Sequence, residues 1–215
     1  MKLDKQTIKN AMLVYAVTDR RWSEEKPLID QIEDALKGGA TCILLRENDL
    51  DPVSFLEEAF VVKKLCNSYN VPFIVNDSLE IALKVGADGV HIKQNEEELR
   101  NIKKIVGDEI VVGVSVKTVE QGKMAELGGA DYLGVGAVFP KSKNLEEDFV
   151  SKETLKEICS SVNIPVTAIG GITKENMLSL KGTGIDGVAL ASAIFASKDI
   201  EKECAELKKI AKEVF

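Results

Sequence analysis

Short apolar runs alternate with longer amphipathic segments along the chain, and most runs end at polar or small residues. The runs consist mainly of valine, isoleucine, leucine and alanine, which is typical of parallel strands buried on both faces. The segments between them carry apolar residues three and four positions apart, which predicts helices that cover a sheet. This order of strands and helices predicts an α/β fold with a parallel sheet.

Eight strands are predicted, over residues 12–18, 42–45, 71–75, 89–92, 110–114 and 132–139 and in the runs that begin at Ile164 and Gly187. Helices are predicted over 27–39, 52–69, 78–85, 96–106, 118–127, 151–162 and 199–214, with 2–10 as a further candidate. Eight short units with right-handed crossovers favour a closed barrel over an open doubly wound sheet. We therefore predict one (βα)8 TIM-barrel domain over 1–215, in which 1–10 is an N-terminal extension.

A recurring junction supports this division of the chain. Glycine followed by a small or acidic residue stands between a predicted helix and the next strand around residues 38–42, 86–90, 128–132 and 184–188. Glycine at such a position ends a helix in a left-handed turn.

Two turns of small residues follow the last two predicted strands, at Gly170-Gly171 and at Ala191-Ser192, and a helical pattern follows each. Such turns leave backbone N–H groups without partners, and these amides and the helix dipole stabilise an anion. Neighbouring turns of this kind at the ends of the last two strands are typical of a phosphate site in an eight-stranded barrel. The alternative is that Gly170-Gly171 only turns the chain.

Composition narrows the classes of partner. The formal net charge of -7 argues against nucleic-acid binding, which requires a basic face. The four cysteines are widely separated and form no CxxC pair, so we expect neither a disulfide framework nor a zinc site: Cys42, Cys66, Cys159 and Cys204. Because the N-terminus lacks the apolar core of a signal peptide and no run could span a bilayer, we expect a cytoplasmic protein without a membrane partner. The sequence does not decide whether the protein forms a homo-oligomer.

The residues that follow the strands of such a barrel converge on one opening. Here they include cations in an acidic protein: Arg46, Lys93, Lys117, Lys141 and Lys143. They also include two carboxylates that follow neighbouring strands, Asp77 and Glu96. Cations beside a phosphate site predict a polyanionic ligand, and the carboxylates predict Mg²⁺ held between the protein and a diphosphate.

Each of these residues also has a simpler interpretation. Asp77 could cap the helix that begins at Ser78. Glu96 could pair with the dipole of its own helix. Lys141 and Lys143 could belong to a solvated charged loop.

His91, the single histidine, lies inside the predicted fourth strand between Val90 and Ile92. We expect a neutral, hydrogen-bonded histidine with a structural role rather than a general base. We also expect no Ser-His-Asp or Cys-His catalytic arrangement around this histidine.

Eight motifs in register along the chain resemble the thiamine phosphate synthase family. They are Tyr15-Ala-Val-Thr-Asp-Arg20, Leu45-Arg-Glu47, Pro72-Phe-Ile-Val-Asn-Asp77, Ala87-Asp-Gly-Val-His-Ile92 with Gln94, Gly113-Val-Ser115, Leu133-Gly-Val-Gly-Ala-Val-Phe-Pro140, Ile169-Gly-Gly-Ile172 and Gly187 to Ile194. The resemblance implies a barrel enzyme that joins hydroxymethylpyrimidine diphosphate to a thiazole phosphate and releases pyrophosphate with Mg²⁺. It also implies that the diphosphate leaves first and that the thiazole nitrogen captures the resulting pyrimidine methyl cation.

The resemblance also implies roles for individual residues. Arg46 and Asn76 would hold the diphosphate, Asp77 would bind Mg²⁺, and Ser115 would face the pyrimidine. The backbone amides of the two small-residue turns would hold the thiazole phosphate, which involves Gly170, Gly171, Ala191 and Ser192.

The chain departs from the family at three places. Leu44–Asn48 lacks the glutamine and the lysine expected around Arg46. Glu96 stands near the position of the second metal-binding carboxylate. Pro140–Asn144 replaces a Pro-Thr-x-Thr-Lys loop, and in it Lys141 and Ser142 are substrate-binding candidates and Lys143 is a catalytic candidate.

We interpret the chain as a divergent thiamine phosphate synthase with Mg²⁺ as cofactor and small phosphorylated heterocycles as substrates. The alternatives are a barrel that binds a phosphate-bearing ligand without catalysis, and a barrel enzyme that acts on another heterocycle or sugar phosphate. The related thiazole tautomerase branch is disfavoured, because Lys117 stands where that branch is expected to carry a histidine.

Overall fold

The computed structural model describes residues 3–139 and 149–215. Eight parallel strands close into one barrel in chain order, which confirms the predicted (βα)8 TIM barrel. The strands are Val14–Val17 (β1), Cys42–Leu45 (β2), Phe73–Asn76 (β3), Gly89–Ile92 (β4), Val111–Val116 (β5), Tyr132–Gly136 (β6), Val166–Ile169 (β7) and Gly187–Leu190 (β8).

Helices lie between the strands and at both ends of the barrel sequence. Within the described residues they are Lys5–Ala11 (α1), Leu28–Lys37 (α2), Pro52–Ser68 (α3), Leu79–Val85 (α4), Glu96–Val106 (α5), Val119–Leu127 (α6), Lys152–Ser161 (α7), Ser192–Phe195 (α8) and Ile200–Val214 (α9). Several helices begin at a residue whose side chain accepts a hydrogen bond from a backbone amide of the first turn. Asp51 does so at α3 and Ser151 at α7. None of the helices in the described ranges has the length and apolar character that a membrane span requires.

Several predicted bounds differ from the structure by one to three residues, and one predicted helical segment is not an α-helix. β6 ends at Gly136 rather than at residue 139. After β7 the described chain forms a 3₁₀ turn over Met177–Leu180 rather than an α-helix. Asn176 explains the second difference, because its side chain accepts from the Thr173 amide and donates to the Gly171 carbonyl oxygen, and these local bonds compete with a helix.

The recurring helix-to-strand junctions connect neighbouring strands. At each junction a polar side chain accepts a hydrogen bond from a backbone amide at the start of the preceding strand. The acceptors are Thr41, Asp88, Asp131 and Asp186, and the donors are the amides of Val14, Phe73, Val112 and Val166 respectively. The small or acidic residue of the motif therefore fixes the spacing between adjacent strand starts.

Alternation along the strands divides the core into two layers. Side chains on one face pack against the surrounding helices, and side chains on the other fill the barrel. The interior cluster also contains Ile8 and Ala11 of α1 and the following residue, Met12. A Cβ on Gly187, the first residue of β8, would lie 2.0 Å from the Met12 carbonyl oxygen, so α1 ends against the strand starts.

Gly113 makes room for a large side chain inside the barrel. It pairs with His91 on β4 and with Tyr132 on β6, so the three residues lie at one level. A Cβ on Gly113 would lie 2.1 Å from Cζ of Tyr132, which is fully buried. A side chain at position 113 would therefore displace the Tyr132 ring.

We expect Gly113→Ala to lower the free energy of unfolding by about 1–3 kcal/mol, because the added methyl group overpacks the barrel interior. The matched control is Gly122→Ala in α6, where the new Cβ would lie 3.4 Å from Cγ2 of Ile158. There the helix propensity of alanine should raise stability by about 0.5–1 kcal/mol. Urea denaturation of both variants measures the two effects, and an equal change in both would contradict the interpretation of Gly113.

Candidate active site

A cavity of about 290 Å³ opens among the carboxyl ends of the strands, and we call it the central pocket. It brings together four of the predicted site residues, Arg46, Asn76, Asp77 and Ser115. His91, Lys93 and Thr167 also line it. The convergence expected of strand-end residues is therefore found for strands β2, β3 and β5.

A smaller cavity of about 120 Å³ lies beside the two small-residue turns, and we call it the glycine recess. Its walls include Gly170, Gly171, Ala191 and Ser192, which were predicted to act together. Within the described residues, the amide of Gly171 donates no hydrogen bond, and neither does that of Ser192, the first residue of α8. These amides are available to an anion.

Gly171 cannot be replaced easily in this recess. Its φ of +67° is in the left-handed region, and a Cβ there would lie 2.3 Å from the carbonyl oxygen of Phe139. The helix after Ala191, α8, is only four residues long. The recess thus depends on the turn backbone more than on a helix dipole.

Arg46 lines both cavities. Its Nη2 lies 2.7 Å from Oδ2 of Asp19, and its backbone amide donates to Oγ1 of Thr18 at 2.9 Å. Asp19 is buried and also accepts from Arg21, and these hydrogen bonds from Arg21 hold the pKa of Asp19 below its ordinary value against the opposing effect of burial. Asp19 therefore remains a carboxylate that orients two guanidinium groups.

Arg20, although it stands in the same motif as Asp19, has a structural role. Its Nε lies 3.0 Å from Oε2 of Glu47, and its Nη2 lies 2.6 Å from Oε1 of Glu58 on α3. Burial raises the pKa of Glu47, and hydrogen bonds from Arg20 oppose that effect. This network joins the loops after β1 and β2 to α3, so Glu47 is not available to a ligand.

The two predicted metal carboxylates lie in different environments. Asp77 lines the central pocket, with Oδ2 3.3 Å from Nζ of the exposed Lys93. Asp77 does not cap α4, because Ser78 does so by accepting from the Ile81 amide. Glu96 instead lines a separate surface recess, 3.9 Å from Arg100 on the same helix.

The structure therefore does not bring Glu96 into the central pocket beside Asp77. Among the described residues, no group of three or more histidine, cysteine, aspartate or glutamate side chains could hold a metal ion. A metal ion at this mouth would depend on Asp77 and on oxygen atoms that a ligand supplies.

His91 is hydrogen-bonded, as predicted, and its partners are two hydroxyl groups that the sequence did not indicate. Its Nε2 lies 2.9 Å from Oγ of Ser115, and its Nδ1 lies 2.9 Å from the Tyr132 hydroxyl. The Tyr132 hydroxyl lies in turn 2.8 Å from that of Tyr15. Burial lowers the pKa of His91 to about 4, so the imidazole is neutral at physiological pH. The pairing of β5 with β4 on one side and β6 on the other creates these contacts, which a single strand cannot reveal.

Thr167 belongs to the pocket although no motif indicated it. It is 1% exposed, lines the central pocket from β7, and its hydroxyl has no hydrogen-bond partner within the described residues. A buried hydroxyl without a partner is costly, and a ligand can supply the missing acceptor or donor. The one available signal was its alternation with Val166 and Ala168, which place it on the inner face.

Several predicted residues add nothing further to this geometry. Lys141, Ser142 and Lys143, with the rest of the Pro140–Asn144 loop, lie outside the described residues. Lys117 follows β5, and its backbone amide donates to Oε1 of Gln121. The roles proposed for these four residues remain predictions.

Comparisons with known proteins agree with one another. A family model described as thiamine monophosphate synthase matches residues 14–194. The thiamine-phosphate synthase of Clostridium tetani is 43% identical over 194 residues, which cover 90% of this chain and 93% of that protein. That of Ruminiclostridium cellulolyticum is 44% identical over 197 residues, covering 92% and 94%. The solved structure of thiamine phosphate pyrophosphorylase from Pyrococcus furiosus superposes with a TM-score of 0.89 at 37% identity, covering 97% of this chain and 99% of that one.

We expect Thr167→Val to raise the free energy of unfolding of the ligand-free protein by about 1 kcal/mol, because it removes a buried hydroxyl that has no partner. The control is Thr183→Val. The Thr183 hydroxyl is equally buried but donates to the Leu180 carbonyl oxygen at 2.7 Å, so its loss should cost about 1 kcal/mol. Urea denaturation measures both, and equal destabilisation would show that the Thr167 hydroxyl is satisfied.

Proposed function

The chain belongs to the thiamine monophosphate synthase family and is a transferase of thiamine phosphate synthesis, and we propose that its reaction takes place between the central pocket and the glycine recess. In this proposal hydroxymethylpyrimidine diphosphate occupies the central pocket and a thiazole phosphate occupies the recess. The observation that carries the proposal is that Arg46 lines both cavities. Two anionic substrates can therefore meet at one oriented guanidinium group.

The recess suits a phosphate monoester. The amides of Gly171 and Ser192 can donate to its oxygen atoms, and Arg21 and Arg46 supply positive charge at the same walls. The buried Asp19 holds both guanidinium groups in position before the ligand arrives. Donors oriented in advance reduce the entropic cost of binding.

The central pocket suits an aromatic heterocycle that carries a diphosphate. Its mouth has Arg46, Asn76 and Lys93, which can donate to the diphosphate. Its deeper wall has neutral hydrogen-bonding groups in Ser115 and His91. The charged end of such a substrate would face the mouth and the ring would lie inside.

The chemistry requires little from a protein base. The bond between the methylene carbon and the diphosphate oxygen breaks, and its electron pair leaves with pyrophosphate. The lone pair of the thiazole nitrogen then forms the new carbon–nitrogen bond. No proton moves in either step, so cations and oriented donors that stabilise the leaving group are the main requirement. This agrees with a mouth that contains guanidinium and ammonium groups and a neutral His91.

We propose Mg²⁺ as the cofactor, with Asp77 as its protein carboxylate. Mg²⁺ is commonly held by one or two carboxylates together with substrate phosphates, so Asp77, the one carboxylate among the described residues that line the central pocket, fits. The ion pair between Asp77 and the exposed Lys93 is weak and can give way to a cation. A bound ion would neutralise charge that develops on the departing diphosphate.

The direct test is to supply the purified protein with both substrates and Mg²⁺. We expect thiamine phosphate and pyrophosphate to form in equal amounts. Binding of both substrates without product would instead favour a barrel that binds phosphate ligands without catalysis.

We expect Gly171→Ala to raise the KM for thiazole phosphate by about tenfold or more. The new Cβ would collide with the Phe139 carbonyl oxygen and shift the turn, so the amide at position 171 would lose its hydrogen bond to the phosphate. A hydrogen bond to a charged group contributes about 1.5–3 kcal/mol. The KM for the pyrimidine diphosphate should change much less. Gly182→Ala is the matched control, since Gly182 also has a positive φ, +80°, but has open space around its Cβ position. An equal rise in both KM values would contradict the assignment of the recess.

The metal proposal predicts different effects for the two carboxylates. Asp77→Asn should raise the Mg²⁺ concentration that gives half-maximal activity. Loss of a residue that only supports a metal ligand weakens metal binding by roughly 10–100-fold, so loss of the ligand itself should cost at least as much. Glu96→Gln should change it by less than about twofold, because Glu96 lies in another recess. Titration of activity with Mg²⁺ separates the outcomes, and a large effect of Glu96→Gln would restore Glu96 as a ligand.

A further inference from the structure

A line of three hydrogen bonds crosses the barrel interior and ends at the central pocket. Tyr15 contacts Tyr132 at 2.8 Å, Tyr132 contacts Nδ1 of His91 at 2.9 Å, and Nε2 of His91 contacts Ser115 at 2.9 Å. Within the described residues, these four side chains make no other hydrogen bonds. Their protons and lone pairs can therefore be counted against these three contacts alone.

The line has one more proton than it has contacts. Burial raises the pKa of both tyrosines, so each keeps its hydroxyl proton, and Ser115 carries one as well. His91 is buried and both of its ring nitrogens face hydroxyl groups rather than a carboxylate, so its imidazole is neutral and contributes one N–H. Four protons serve three contacts, so one group must donate to something outside the line.

Burial decides which group that is. A surplus proton on Tyr132 would lie in the interior without an acceptor, because this residue is fully buried and does not line the pocket. Tyr15 lines the central pocket but is only 1% exposed, so a proton there would have much less access to an acceptor than one on Ser115. Ser115 is only partly buried and lines the central pocket, where water or a ligand can accept. A buried donor left unsatisfied costs about 1–3 kcal/mol, so the surplus proton belongs to Ser115.

This choice fixes the direction of every bond in the line. Tyr15 donates to Tyr132, Tyr132 donates to Nδ1 of His91, and the Nε2–H of His91 donates to Oγ of Ser115. The Ser115 hydroxyl then has its own proton free for the pocket. If the direction were reversed, Ser115 would donate to His91 and could only accept from a ligand.

We propose that Tyr132 is a positioning residue that holds His91 as the Nε2–H tautomer and thereby makes Ser115 a hydrogen-bond donor to the substrate. The proposal rests on the proposed function for the identity of that substrate, whose heterocyclic ring nitrogens are acceptors of the required kind. A site built to donate to an acceptor discriminates strongly against an analogue that lacks it, because its buried donor is then left unpaired. Tyr132 does not line the pocket, so it acts through His91.

The single histidine makes the test direct. Protein without a histidine tag, labelled with ¹⁵N-histidine, has one pair of imidazole nitrogen signals, which therefore need no assignment to a residue. In the ligand-free wild type at neutral pH we expect only the Nε2–H tautomer. The Nδ1–H tautomer, or a protonated ring, would overturn the proposal.

Tyr132→Phe removes the donor to Nδ1. We expect the Nδ1 signal to move and the tautomer ratio to fall by about fivefold, the ratio that corresponds to loss of an ordinary hydrogen bond. Tyr15→Phe is the matched control: it removes a hydroxyl from the same line but leaves the Tyr132 donor in place, so the wild-type tautomer should persist. A Tyr132→Phe spectrum identical to that of the wild type would overturn the role of Tyr132.

Kinetics provide a second measurement. Tyr132→Phe should raise the KM for the pyrimidine diphosphate several-fold and leave the KM for thiazole phosphate unchanged. A role limited to packing would lower stability without separating the two KM values. The imidazole signals are measured without substrate, so they test this proposal even if the assayed reaction fails.

Discussion

The alternation of side chains along closed parallel strands is the constraint on which this structure depends. Every second residue of each strand must fit inside a cylinder whose volume is fixed by eight strands, so a large side chain at one position requires a small one beside it. Tyr132 occupies the interior at the level of His91 because the strand between them has glycine at position 113. The same geometry brings the two side chains within hydrogen-bond distance. Packing and polar connection are therefore consequences of one glycine.

The role of each arginine at the mouth of the barrel depends on the buried carboxylates that pair with it, and not on how many cations are present. Arg20 and Arg46 both follow or end strands, yet Arg20 is held in a structural network by Glu47 and Glu58, and Arg46 is oriented between two cavities by Asp19. The buried carboxylate of Asp19 can stay ionised because guanidinium groups surround it. An acidic protein can in this way offer a cationic site to anions, and the proposed reaction requires no buried base.

The sequence was sufficient for the barrel and for part of the site. The spans of β2 and β4 were predicted to the residue, because polar residues or glycine bound these apolar runs. Arg46, Asn76, Asp77 and Ser115 could be grouped because the end of a parallel strand has a known location. Glu96 could not be located, since it lies on a helix whose phase relative to the barrel is set by packing. The partners of His91 and the unpartnered Thr167 depend on register across several strands, which no single segment encodes.

The close contact of α1 with the strand starts affects how molecules move through this protein. Ile8, Ala11 and Met12 fill the interior at that end, so side chains close the barrel beside the strand starts. Among the described residues the central pocket opens at the opposite end, and a heterocycle bound against Ser115 as proposed would lie behind an anion bound at Arg46. Pyrophosphate would then have to depart before the coupled product can, and traffic through that opening would impose an order of release that the chemistry alone does not require.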